Sequence, residues 1–295
     1  MNTGKALTLQ KIKESRKKRE RFKKLIAYLF LTLFGLTMVL PFIWMVSTSL
    51  KLPQEVFTED PLQFKNWIPE NFVWKNYIEV FKVIPFFRFY INSIFVAICV
   101  TLGVVLTSSF SGYAFSRLRF PGRDKLFFAY IATMMIPGAV IIIPVFILMR
   151  VIGWIDTYKA LIIPAMFTAY GTFMLRQFFM TLPQELEDAA KIDGCGFFGI
   201  YWRIILPLSK PALATLTVFT FIGNWQSFLW PLLVTNSIDM YTLPIGLSYF
   251  QSQYYLVNWT LLMAASTMAI VPVIIIFMFA QKFFIEGVKL TGIKG

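Results

Sequence analysis

The chain has 295 residues, 57% of them hydrophobic and only 15% charged, with a mean hydropathy of +0.66 and a formal net charge of +13. These values exclude a water-soluble globule and point to one multi-span membrane domain. With no histidine and two distant cysteines, Cys99 and Cys195, there is little to build a zinc or haem centre or a disulfide framework, so no metal and no cofactor is expected.

Residues 1–24 form a basic tail carrying ten Lys and Arg. Arg16-Lys-Lys-Arg-Glu-Arg21 has the charge to meet phosphates, but it abuts an apolar run and has no stacking aromatic before Phe22. Anionic membrane lipid therefore suits it better than nucleic acid, which is not expected as a partner. Leu25–Ser49 reads as a first spanning helix that stays as an anchor rather than a cleaved signal. Apolar runs at Phe89–Ala114, Leu126–Met149, Ala160–Leu175, Ala212–Val234 and Leu261–Ala280 follow. On the requirement of about 20 residues per crossing, the chain is an all-α membrane protein of about six transmembrane helices, with its membrane domain over 25–295. The fourth run is short and bordered by Lys159, Pro164 and Arg176. Pro137, Pro144 and Pro164 each remove a backbone donor and predict kinks.

Lys and Arg number ten in 1–24, four in 115–125, four in 176–210 and three in 282–295, against seven elsewhere. By the positive-inside rule both termini are expected to be cytoplasmic. The opposite segments, 50–88 and 235–260, hold Trp67, Trp74, Tyr77, Tyr249, Tyr254, Tyr255 and Trp259, which suit either a landing surface for a protein or an interfacial belt. The Asn258-Trp-Thr260 sequon lies there, with no glycosylation expected. No acid or base lies well inside a span, which disfavours an ion-coupled carrier. The nearest approach to a phosphate loop, Gly287-Val-Lys-Leu-Thr-Gly-Ile-Lys294, has Ile293 where Lys is needed. No catalytic residue emerges, the chain is not expected to be an enzyme, and any ATP must be hydrolysed on another subunit.

One polar island, Thr181 to Gly194, interrupts the apolar pattern. Pro183 suits a first helical turn, Glu185, Glu187 and Asp188 favour a helix N-terminus, and Gly194 suits its stop, so a short helix outside the bilayer is predicted. Asp188-Ala189-Ala190, then Gly194, then Ile204-x-Leu206-Pro207 resembles the EAA loop of membrane subunits of binding-protein-dependent ABC importers. Asp188 stands where that family usually has Glu, and Glu187 beside it offers a substitute. The resemblance implies that the loop at 181–211 couples the permease to an ATPase through Glu187, Asp188, Ala189, Ala190, Asp193, Gly194, Ile204, Leu206 and Pro207, with Pro207 and Pro211 passing the motion into the next span.

Met134-Met-Ile-Pro-Gly138, Leu175-Arg-Gln-Phe178, Leu206-Pro-Leu-Ser-Lys-Pro-Ala-Leu213, Asn224-Trp225, Trp230-Pro231, Tyr241-Thr-Leu-Pro244 and Gly292-Ile-Lys-Gly295 extend the likeness to carbohydrate-importer permeases of the maltose-transporter type. The resemblance covers roughly residue 25 to the end. It implies a type I importer fold in a prokaryotic cytoplasmic membrane, a second homologous permease, two ATPase subunits and an extracytoplasmic sugar-binding protein. It also implies that the tail at Gly292–Gly295 enters the ATPase interface. Oligosaccharides are held by stacked aromatics and side-chain amides, so Asn92, Asn224, Trp225, Gln226 and Trp230 are the candidates for the solute path. A related importer for another solute, such as a polyol phosphate or peptide, is the alternative. A membrane enzyme is the more distant one, lacking a catalytic constellation.

Overall fold

The computed structural model describes residues 3–56, 64–252 and 258–291, with side chains placed over 16–56, 66–250 and 258–282. Tyr254 and Tyr255 and the tail at 292–295 lie outside the described residues.

Every described element is helical. Helix α1 (Thr3–Ser49) runs unbroken from the basic tail into the first apolar stretch, crossing the expected boundary at residue 24 without a turn. None of its most apolar window is buried. Its C-terminal end is anchored instead: Asn76 Nδ2 donates to the carbonyls of Ser49 and Lys51, both at 2.9 Å, from the short helix α2 (Lys75–Val83).

Helix α3 (Phe86–Arg117) is the spine. Its upper half joins one apolar core with Val80, Phe221, Trp225, Leu243 and Ala264, and its lower half joins a second with Leu175, Phe179, Ile200, Tyr201, Ile205 and Leu216. Small residues let its neighbour approach: a Cβ built on Gly112 would stand 3.1 Å from the Arg176 backbone nitrogen.

Among the described residues, three continuous helices are long and apolar enough to cross a bilayer, Arg16–Ser49, Phe86–Arg117 and Trp259–Lys282, rising to five if two bent pairs each make one crossing. Hydropathy marks about six apolar runs with kinks expected at Pro137, Pro144 and Pro164, and the structure breaks several of them. The run at 126–149 divides into α4 (Arg123–Ala132), a 3₁₀ turn (Thr133–Met135) and α5 (Gly138–Val151), with a bend of 100°. Pro137 explains the break, because its ring pushes Ile136 out of helical geometry to ψ 116°. The run at 160–175 becomes α6 (Tyr158–Ile162), a 3₁₀ turn (Ile163–Met166) containing Pro164, and α7 (Ala169–Met180). Pro144 sits inside α5 without ending it.

The polar helix α8 (Glu185–Ile192) follows. Then α9 (Phe197–Ile200), a π turn (Tyr201–Ile205) and α10 (Leu206–Leu208) lead through Ser209 into α11 (Lys210–Trp225), with a bend of 77°. The π turn ends where Pro207 offers no N–H to the carbonyl four residues back. The run at 212–234 breaks after Trp225, and α12 (Leu229–Val234) is separate. A continuous helix there would leave the Ser227 carbonyl facing the ring of Pro231. Helices α13 (Leu243–Ser252) and α14 (Trp259–Thr291) complete the chain, and α14 packs along α1 and α11.

Candidate functional site

Helix α8 forms within the polar island, but it starts at Glu185, so Pro183 precedes the helix rather than occupying its first turn. Glu185, Glu187 and Asp188 occupy its first turn and Lys191 its last, so charge complements the helix dipole at both ends. It closes in a Schellman motif: Cys195 N–H donates to the Ala190 carbonyl at 2.9 Å and Gly194 N–H to that of Lys191 at 3.0 Å. Gly194 takes φ +80°, a conformation that costs a side-chain-bearing residue more than glycine.

The helix has two faces. Glu187 and Ala190, three residues apart, point into the body of the protein and are buried. Glu185, Leu186, Asp188, Ala189, Lys191, Ile192 and Asp193 are exposed, with Ile192 left 87% uncovered and Asp188 paired only with Lys191 at 2.9 Å. Phe197 and Phe198, just beyond the helix, extend this surface as exposed aromatics. Of the nine coupling residues expected from the sequence, Asp188, Ala189, Asp193, Gly194 and Pro207 are therefore open to a partner. Ile204 and Leu206 are half-buried against the lower core that supports the loop. Glu187 is not the exposed substitute for Asp188 that its position suggested.

Glu187 instead meets Arg117, the last residue of α3: Nε and Oε1 stand 2.8 Å apart, both side chains almost wholly buried. The Nε–H is not aimed at the oxygen, so the contact is an ion pair without hydrogen-bond alignment. Arg117 Nη2 also donates to the carbonyls of Phe179 at 2.6 Å and Leu182 at 2.7 Å, closing the end of α7. Arg176 works alongside it, donating to the Phe115 carbonyl at 3.2 Å and lying 3.9 Å over the Phe127 ring. Sequence reasoning counted Arg117 only as an orienting charge; its position at the end of a span, within a basic cluster, was the one signal available.

Within the body, a cavity of about 170 Å³ lies among Ser93, Val96, Leu161, Ala165, Asn224, Ser227, Trp230, Pro231 and Thr242. Asn224 and Trp230 thus share one wall, and the Thr242 hydroxyl is buried there without a hydrogen-bond partner. Trp230 is steadied by an Nε1 bond to the Ala160 carbonyl at 3.0 Å. The other path candidates lie apart from this lining. Trp225 is core, stacked on Phe221 and bonded to the Ala269 carbonyl at 3.0 Å, while Gln226 is exposed. Asn92 is 1% exposed, with its amide spent on the carbonyls of Asp239 and Tyr241.

Residues 100–290 match the family described as the binding-protein-dependent transport system inner membrane component. The chain belongs to that family. As an inner membrane component it is a multi-pass transport permease, and the exposed helix α8 is part of the matched region. Among its relatives, the arabinooligosaccharides transport system permease protein AraQ of Halalkalibacterium halodurans is 39% identical over 228 residues, 77% of this chain and 81% of the relative. AraQ of Bacillus subtilis is 40% identical over 210 residues, covering 71% and 74%. The sn-glycerol-3-phosphate transport system permease protein UgpE of Yersinia pestis is 36% identical over 227 residues, covering 75% and 81%. The fold is similar to a chain in the crystal structure of a bacterial ABC transporter involved in the import of the acidic polysaccharide alginate, with a TM-score of 0.80, 25% identity and coverage of 90% and 97%. The importer-permease fold expected from the sequence is thus observed, bent helices included.

Proposed function

We propose that this permease carries a sugar, most simply an oligosaccharide, inward across the membrane and is driven by separate ATPase subunits that dock on α8. The observation that carries the reading is α8 itself: a short helix held from behind by Glu187 and Ala190, closed by an αL glycine, and presenting Asp188, Ala189, Ile192 and Asp193 outward. A surface of this size suits a groove in a partner. The Lys and Arg distribution supports α8 and both termini facing the cytoplasm, where ATP is.

Closure of two ATPase subunits on ATP moves α8, and the bend at Ser209 between Pro207 and Pro211 passes the displacement into α11. Only a difference in affinity between the inward-open and outward-open arrangements shifts their populations. A second homologous permease completes the pathway, and an extracytoplasmic binding protein delivers the solute. The sugar reading rests on the AraQ relatives and on the cavity, whose polar groups are amide, hydroxyl and indole, with no Lys or Arg in its lining. The UgpE relatives favour a polyol phosphate as the second reading, and that uncharged lining argues against it.

The test is ATP turnover and solute uptake in proteoliposomes holding this chain, a second permease, the ATPase and loaded binding proteins. Stimulation by an oligosaccharide-loaded binding protein supports the proposal, and stimulation only by a phosphate ester replaces the solute. A Gly194→Pro variant that assembles with the ATPase and transports normally would remove α8 as the docking helix.

A further inference from the structure

The motif explains which face of α8 a partner reads, and leaves open what the helix is fastened to. Its two chain connections are short: Thr181–Gln184 is a turn on one side, and on the other the chain reverses at the single left-handed residue Gly194. Among the described contacts, the buried ion pair to Arg117 is the polar tie between α8 and a spanning helix. Arg117 holds the Phe179 and Leu182 carbonyls as well, so one guanidinium joins the ends of α3, α7 and α8.

The opposite end of α3 is fastened as firmly. Asn92 donates to Asp239 and Tyr241 and accepts from Tyr158, Arg88 Nε donates to the Asp239 carbonyl at 3.1 Å, and Ser93 Oγ accepts from Leu243 N–H at 2.7 Å. From Asn92 to Arg117 a helix rises about 38 Å at 1.5 Å per residue, more than the hydrocarbon thickness of about 30 Å. Glycine is the weakest helix former α3 contains, and Gly103 and Gly112 both lie against packed neighbours. The α3 helix contains no proline, unlike α1, α5 and α14.

Resting on the docking reading above, we propose that Arg117 is a positioning residue. Through Glu187 it makes α8 move as one body with α3, so that ATPase closure displaces the Asn92 cluster on the far side of the membrane. The route through Pro207 and the bend at Ser209 is then the compliant one, and α3 is the stiff one. Breaking the tie lets α8 pivot at Gly194 while the ATPase stays bound, so hydrolysis proceeds with less transport.

The complete complex in proteoliposomes tests this with Glu187→Gln, Arg117→Gln and the double variant. The expected result is retained ATPase co-purification with uptake per ATP hydrolysed reduced about tenfold in each single variant, within the usual range of coupling between sites. The double variant should be no worse than Arg117→Gln, which already removes the tie together with the bonds to Phe179 and Leu182. Unaltered uptake per ATP in an assembled Glu187→Gln complex would overturn the proposal, as would losses that multiply in the double variant. Should these variants fail to assemble, spin labels at exposed Glu185 on α8, outside the residues named for docking, and exposed Leu106 on α3 give a second measurement in the otherwise native chain. Their separation should be the same with and without ATP, and a shift would show that α8 hinges independently. Failure of the docking reading looks different: the ATPase would then assemble equally with Gly194→Pro.

Discussion

The Tyr158 hydroxyl donates to Asn92 Oδ1 at 2.7 Å, across 66 residues of chain, while the Asn92 amide donates to Asp239 and Tyr241. One buried side chain therefore joins α3, α6 and the segment before α13. Replacing Asn92 by Ala would leave the Tyr241 carbonyl and the Tyr158 phenol without this partner and the Asp239 carbonyl with Arg88 alone, and lower stability by about 2 kcal/mol. Tyr158→Phe, which removes one bond, should cost about half as much. Thermal unfolding of the detergent-solubilised complex checks both, and equal stability of Asn92→Ala and wild type would contradict the structural role.

Gly194 separates conformational from chemical requirements. Gly194→Asn should be tolerated, since Asn enters the left-handed region readily, whereas Gly194→Val should cost about 2 kcal/mol locally and weaken ATPase co-purification. Pull-down of the ATPase from membranes ranks the three; the idea fails if Val and Asn behave alike.

The two tryptophans of the candidate path should behave differently. Trp225→Ala empties part of the upper core and is expected to destabilise by about 3 kcal/mol whatever the solute. Trp230→Phe keeps most of the volume, loses the bond to Ala160, and should act mainly on the half-saturating solute concentration for uptake. Uptake kinetics beside thermal unfolding distinguish these outcomes, and a Trp230→Phe variant with unchanged uptake would place the path elsewhere.

Asp156 gives a pH dependence with a definite sign. Burial pushes its carboxyl up, but the Ser237 and Asn236 N–H groups and the Ser237 hydroxyl outweigh burial and hold it below the ordinary value of 3.8. A lowered folded-state value means stability that is present above 3.8 and lost as pH falls through the folded value. The Asn variant keeps the φ +61° that this position requires and cannot titrate. The stability gap between wild type and Asp156→Asn should therefore be constant near neutrality and narrow below about pH 4, as unfolding measured across that range will show.

The sequence alone determined the membrane class, the basic asymmetry, the presence of a short helix in the polar island and the left-handed residue that ends it. Those signals act within a turn of helix: a proline lacks its own donor, an acid near a helix start meets that helix's dipole, and glycine accepts a positive φ in its own backbone. Hydropathy located the apolar runs and Pro137 marked the break at Ile136; the break after Trp225 was not marked, because a bent crossing has the same composition as a straight one.

Only the tertiary structure decided what each polar side chain faces. Glu187 and Asp188 are adjacent acids with equal claims as contacts for a partner, and packing buried one against Arg117 while leaving the other outside. Asn92 and Asn224 are both amides in apolar runs, yet one is fully engaged and the other lines a cavity. The partners involved lie tens to more than a hundred residues away in sequence, so their identity is set by how the helices assemble around α3 rather than by any local pattern.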